Sequence, residues 1–186
     1  AADGRRPSLH APFRHKSSGS MDASLPAPHD DREAGRLRTL AQYNVLDSPP
    51  EAAFDRITRL ATRLFDVPIA MVNFLDREQQ WCVSTQGLAL ERTSREASFC
   101  ARAIRHKDVM VVPDAREDDR FVDNPLVTGK PHIRFYAGAP LTAPNGYRLG
   151  TLCVIDNEPR SFSAEDRKTL TDLAGVVMDE LTLRHY

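Results

Sequence analysis

Residues 133–156 read IRFYAGAPLTAPNGYRLGTLCVID, and the reading of this stretch decides the fold. Two apolar runs, Ile133 to Leu141 and Tyr147 to Ile155, flank a short polar segment that ends in Asn145-Gly146. Asn and Gly tolerate the positive φ of tight hairpin turns, and Pro144 stops the first run, so the pattern predicts a β-hairpin. In the second run both alternating sets of side chains are largely apolar: Leu149, Cys153 and Ile155 on one face, Leu152 and Val154 on the other. A strand of this kind is central in its sheet and covered on both sides. Gly138 and Gly150 leave gaps in the side-chain rows where another backbone or a small ligand can approach closely.

Downstream of the hairpin, Ser163 with Asp166 three residues on is a helix cap signal. Leu170, Leu173, Ala174, Val177 and Leu181 then make the core stripe of a long final helix, with Val176 and Leu183 off the stripe. Upstream, Val109–Val112 is a brief strand, and Ser98 caps a short helix from Phe99 to His106 whose apolar side is Phe99, Ala103 and Ile104. Between these elements, residues 87–96 lack a period and read as a mobile loop. Residues 114–124 form a charged loop with Phe121 as its one large apolar residue. Residues 68–76, PIAMVNFLD, are apolar on both faces and predict another central strand. Gln79–Thr85 returns with Trp81 and Val83 on one face and Cys82 on the other. Ser48-Pro49-Pro50-Glu51 predicts a helix start with a Ser cap and a reciprocal Glu, followed by the buried stripe Phe54, Ile57, Leu60, Ala61, Leu64 and Phe65. From Arg32, Leu37, Leu40 and Ala41 recur at helical spacing and predict a first helix that ends near Asn44. Residues 1–31, rich in Arg, His, Ser and Pro, read as a disordered tail.

The order and spacing of these segments resemble a known family. Phe135 through Leu152, the Pro159-Arg160 loop, and Phe162-Ser163-Ala164-Glu165-Asp166 leading into an amphipathic helix resemble the second half of a GAF domain. The likeness is strongest to the modules found ahead of bacterial histidine kinase and diguanylate cyclase outputs, and it extends back to about Arg36. It implies an α+β fold over residues 32–186: a central antiparallel sheet of five or six strands, with N- and C-terminal helices on one face. The other face would carry a pocket roofed by residues 87–131. Carried onto this chain, the pocket-facing candidates are Trp81, Phe99, Cys100, Asp114, Phe121, Phe135 and Tyr136. Whether Phe135 or Tyr136 faces the pocket depends on strand register, and Trp81 and Phe135 have an alternative as plain core.

The function implied by the resemblance is sensing. An unidentified small molecule binds under the roof, and the C-terminal helix passes the change to a partner or to a kinase or cyclase output. Val176 and Leu183 point to a homodimer through that helix. Two alternatives stand beside this reading: a thiol-redox enzyme related to free methionine sulfoxide reductase, and a GAF fold used only for dimerisation. The redox reading rests on Cys100 in the first turn of its helix, where backbone N–H groups favour a thiolate. Against it, that enzyme's reactive cysteine belongs to the segment corresponding to residues 109–125, VMVVPDAREDDRFVDNP, which holds no thiol. Covalent bilin attachment needs a Cys followed by His, whereas Ala101 follows Cys100. Cyclic-nucleotide members begin a motif with Asn-Lys, whereas Glu158 follows Asn157 here. The sequence names no particular cofactor and leaves that question unknown, and His106 and His132 share no metal-like spacing.

Composition narrows the classes further. The 186 residues suffice for one domain with a sizeable core. The net charge is −1, and the excess of basic residues sits in the first twenty positions, so the folded part offers no nucleic-acid surface. Three scattered cysteines suggest a reduced, cytoplasmic setting, and no apolar run approaches the length of a membrane span.

Overall fold

Strand β6 (Arg148–Asp156) is the centre of the molecule, flanked by β1 (Ile69–Leu75) and β5 (Phe135–Thr142) and buried along almost its whole length. The structure, a computed structural model, describes residues 28–46 and 51–184. Its one sheet has six antiparallel strands in the order β3-β2-β1-β6-β5-β4, completed by β2 (Gln79–Gln86), β3 (Arg92–Ser94) and β4 (Met110–Val112). The hairpin turn forms as expected, with Gly146 at φ 89° and Asn145 accepting from the Tyr147 N–H. Gly150 is required by close approach, because a Cβ there would strike the Asn73 carbonyl oxygen across the β1–β6 pair.

Helices α1 (Pro28–Tyr43), α2 (Ala52–Phe65) and α5 (Ala164–Leu183) cover one face. Their buried side chains, among them Leu40, Phe54, Ala61, Leu170 and Val177, meet Val72, Phe74, Ala137, Leu152 and Val154 of the strands. The opposite face is covered by α3 (Phe99–Ala103), a short helix α4 (Pro125–Thr128) and the loops around them. Ser163 and Asp166 form the expected reciprocal cap of α5. The α+β, two-sided architecture expected from the sequence is therefore the one observed.

Several local expectations are corrected. The first helix begins at Pro28 rather than Arg32, since a proline in the first turn sacrifices no helical hydrogen bond. Ser48 and the prolines after it lie outside the described residues, as do residues 1–27 of the tail. Glu51 is the N-cap of α2 but makes no capping bond, its carboxylate pairing with Arg184 instead. On α2 the buried face is Phe54, Ile57, Thr58, Ala61 and Phe65, whereas Leu60 and Leu64 are 50% and 59% exposed. Thr58 takes the inward place because its hydroxyl reaches Ser84 Oγ of β2 at 3.0 Å. The segment expected to be a mobile loop contains β3, paired along the outer edge of β2. Leu149 joins Leu152 and Val154 on the helix face, because a bulge opposite Leu141–Thr142 breaks the alternation.

Candidate functional site

The face of the sheet away from the long helices carries the candidate site. Strand alternation sends Ile69, Met71, Leu75, Tyr136, Cys153 and Ile155 to this face. Over them lie Phe99 and Cys100 of α3, Phe121 of the charged loop, and Val127 and Ile133 of the segment leading into β5. Ser98 fixes the start of α3 by accepting from the Ala101 N–H at 3.2 Å, and it also donates to Gln80 Oε1 of β2. Phe99 and Phe121 stack face to face, with centroids 4.0 Å apart, and the Tyr136 ring tilts against Phe99 at 5.1 Å. Gly138 makes room for that tyrosine, since a Cβ there would meet its hydroxyl.

Four of the seven sequence candidates, Phe99, Cys100, Phe121 and Tyr136, are thus brought together. The other three stand elsewhere. Phe135 faces the helices, where its ring lies 5.6 Å from Phe162, which resolves the register question in favour of Tyr136. Trp81 pairs across β1 with Phe74, a helix-face residue; its indole N–H donates to Asp76 Oδ2 at 2.7 Å, and Arg92 lies 4.0 Å over its ring. Asp114 caps a short 3-10 turn at residues 115–117 and binds the Arg116 guanidinium, which holds its carboxyl below the usual range.

The electrostatic centre of the site is the Cys100 sulfur. It accepts from Thr151 Oγ1 at 3.0 Å, Tyr136 O–H at 3.1 Å and Asn73 Nδ2 at 3.4 Å. Burial pushes this thiol up, but the donors outweigh it and bring it down to about 7. Burial and then the facing Cys100 sulfur raise the Tyr136 hydroxyl, and the neighbouring Cys100 together with burial raises the Cys153 thiol. The sequence argument for Cys100 invoked the helix dipole, but α3 has only five residues, and side-chain donors do the stabilising. Asn73 also donates to Cys153 Sγ at 3.5 Å, while its Oδ1 is buried without a partner.

Sequence reading missed Asn73, Thr151, Gln80 and Cys153. A signal existed for the first two, each being a polar residue inside an otherwise apolar central strand, where a buried polar group needs a partner. The cavity between roof and sheet is about 20 Å³, bounded by Met71, Gln80, Phe99, Cys100, Ile133 and Tyr136 among others. That volume accommodates about one water molecule. The three cysteines, Cys82, Cys100 and Cys153, are free thiols. Among the described residues no group of His, Cys, Asp and Glu could hold a metal ion, and no helix is long and apolar enough to cross a membrane.

Comparison with known proteins agrees with this architecture. Over 159 residues the chain is 45% identical to a cyclic di-GMP phosphodiesterase of Pseudomonas aeruginosa, an alignment covering 84% of this chain. The chain spans only 27% of that relative's length. In fold it is similar to the GAF domain of a phosphoenolpyruvate-protein phosphotransferase from Coxiella burnetii, with a TM-score of 0.61 at 18% identity, covering 82% of this chain and 94% of the other. It is also similar to free methionine-R-sulfoxide reductase from Neisseria meningitidis, with a TM-score of 0.59 at 17% identity, covering 84% and 95%. At such identities these likenesses speak for the fold alone. Residues 49–181, which include all of α2 and reach the last turn of α5, match the GAF domain as a family, and the chain belongs to that family.

Proposed function

We propose that this GAF domain is a cytoplasmic regulatory module that takes a small molecule on its roofed face and passes the change through α5 to an output. The carrying observation is the convergence of Tyr136, Thr151 and Asn73 on Cys100 beneath the roof formed by α3 and the Phe121 loop. Packing alone is served by apolar residues, and a buried polar set with one unpaired amide oxygen is costly unless it recognises something. Because the present cavity holds about one water, a larger ligand enters only as α3 and the Phe121 loop lift. Strand β5 is the route outward: Tyr136 faces the site, while its neighbour Phe135 faces the helices and touches Phe162, just ahead of α5. The phosphodiesterase relative, in which the matching region is a minor part of the chain, favours an enzymatic output for cyclic dinucleotides alongside the kinase and cyclase types.

A second reading, a GAF fold used for association alone, is favoured by two observations. The cavity is nearly filled by side chains, and Leu60 and Leu64 of α2 join Val176 and Leu183 of α5 as exposed apolar residues on two helices that touch. Native against denaturing mass spectrometry of the 186-residue protein separates the readings. The sensor reading expects a mass excess that vanishes on denaturation and is lost in Leu126→Trp, which fills the cavity. A clean apo mass carried on a dimer, with Leu60→Asp/Leu64→Asp/Val176→Asp monomeric, refutes the sensor in favour of association.

A further inference from the structure

A second concavity, separate from the roofed cavity, lies at the β3 edge of the sheet. It measures about 780 Å³, within the range of small-molecule sites. Three stretches of chain converge on it: the β1–β2 turn with Arg77, the end of β3 with Arg95, and α3 with the turn after it, carrying Arg102 and Arg105. Arg95 already holds Glu33 Oε1 and the Asp76 carbonyl. Arg77, Arg102 and Arg105 are exposed and, among the described residues, form no ion pair, although Arg36, Arg116, Arg120, Arg160 and Arg184 all do; the Asp118 carboxylate acts on Arg102 only through space, its own ion pair being with Arg120. Arg102 is backed by the Phe121 ring, 5.9 Å from its guanidinium carbon. Glu78 and Glu96 also line the groove, but among the described residues neither comes within ion-pair distance of an arginine, so Arg77, Arg102 and Arg105 are not neutralised in pairs as Arg95 is by Glu33.

From this geometry we infer that the groove is a binding site for a small molecule carrying at least two phosphate charges. Guanidinium groups presented from separate elements offer forked N–H donors to different phosphoryl groups, which single lysines or scattered surface charges do not. The size of the groove admits a diphosphate with an attached nucleoside as well as the inorganic ion. Ser98 borders both this groove and the roofed cavity, and α3 presents Arg102 outward while Phe99 and Cys100 face inward. An anion drawing Arg102 and Arg105 together therefore acts on the helix that forms part of the roof. The groove stands independently of the sensor reading, since it needs no ligand beneath the roof.

The test is titration of the 186-residue protein with inorganic pyrophosphate, ADP and adenosine, followed by calorimetry and by amide shifts. The proposal expects pyrophosphate or ADP to bind, with shifts centred on residues 94–96 and 101–105, and affinity to weaken as salt is raised. Arg102→Ala/Arg105→Ala, at two exposed positions, should weaken binding about tenfold or more. The control Arg56→Ala/Arg59→Ala on α2 should leave it unchanged. ADP binding more tightly than pyrophosphate assigns a nucleotide source, and the reverse assigns a free polyphosphate. No binding by either anion, equal losses in both double variants, or adenosine binding as well as ADP would each overturn the proposal.

Discussion

Replacing Phe121 by Ala tests whether the roof is core or cover. The side chain comes from a charged loop, yet it is only 2% exposed and stacks on Phe99 at 4.0 Å. Burying a phenyl side chain of this kind removes about 200 Å² from water, worth about 5 kcal/mol at ~25 cal/mol per Å². A compact unfolded chain trims that by about a fifth, and neighbours collapse partly into the gap, which leaves a loss of about 3–4 kcal/mol. In urea, with a slope of about 2 kcal/mol per molar, the midpoint should fall by roughly 1.5–2 M at unchanged slope. Phe121→Leu, which keeps most of the volume, should cost about 1–1.5 kcal/mol. A loss below about 1 kcal/mol for the alanine variant would refute the reasoning, because it would mean that the roof separates from the sheet at little cost and is no part of the cooperative core.

Two further outcomes follow from the geometry. Trp81→Phe removes the indole donor to Asp76 and should cost about 1.5–2 kcal/mol in chemical denaturation, while leaving ligand retention in native mass spectrometry unchanged, because Trp81 lies on the opposite sheet face. Burial pushes the Glu33 carboxyl up, but the Arg36 and Arg95 guanidinium groups prevail and hold it at about 2. A depressed carboxylate contributes stability that is complete above its unfolded value of 4.5 and is lost as pH falls through about 2. The stability gap between wild type and Glu33→Gln, measured by urea unfolding, should therefore be constant above about pH 5 and close between 4.5 and 2.

Local patterns were sufficient for much of the fold. Asn145-Gly146 between apolar runs defines the hairpin, a run apolar on both faces makes β6 and β1 central, and Ser163 with Asp166 starts α5, because turn chemistry, side-chain alternation and capping act within a few residues. Alternation states that Phe135 and Tyr136 face opposite ways, but not which face holds the helices. That choice came from how α2 and α5 pack, and it moved Phe135 and Trp81 away from the candidate site. Thr58 displaced Leu60 and Leu64 from the core through a bond to Ser84, 26 residues away in sequence.

The site itself divides in the same way. The family resemblance brought Phe99, Cys100, Phe121 and Tyr136 forward as candidates, and Asn73 and Thr151 were visible as polar interruptions of apolar strands. Their convergence on one sulfur was not visible, since Thr151 and Cys100 are 51 residues apart and Tyr136 and Cys100 are 36 apart. By itself the sequence determined the long elements, their order and the two-sided sheet, because those follow from local periodicity, whereas the short β3 and α4 escaped it for want of a period. Only the tertiary structure decided which side chains share a cavity, because that depends on register, bulges and the angle at which distant segments meet.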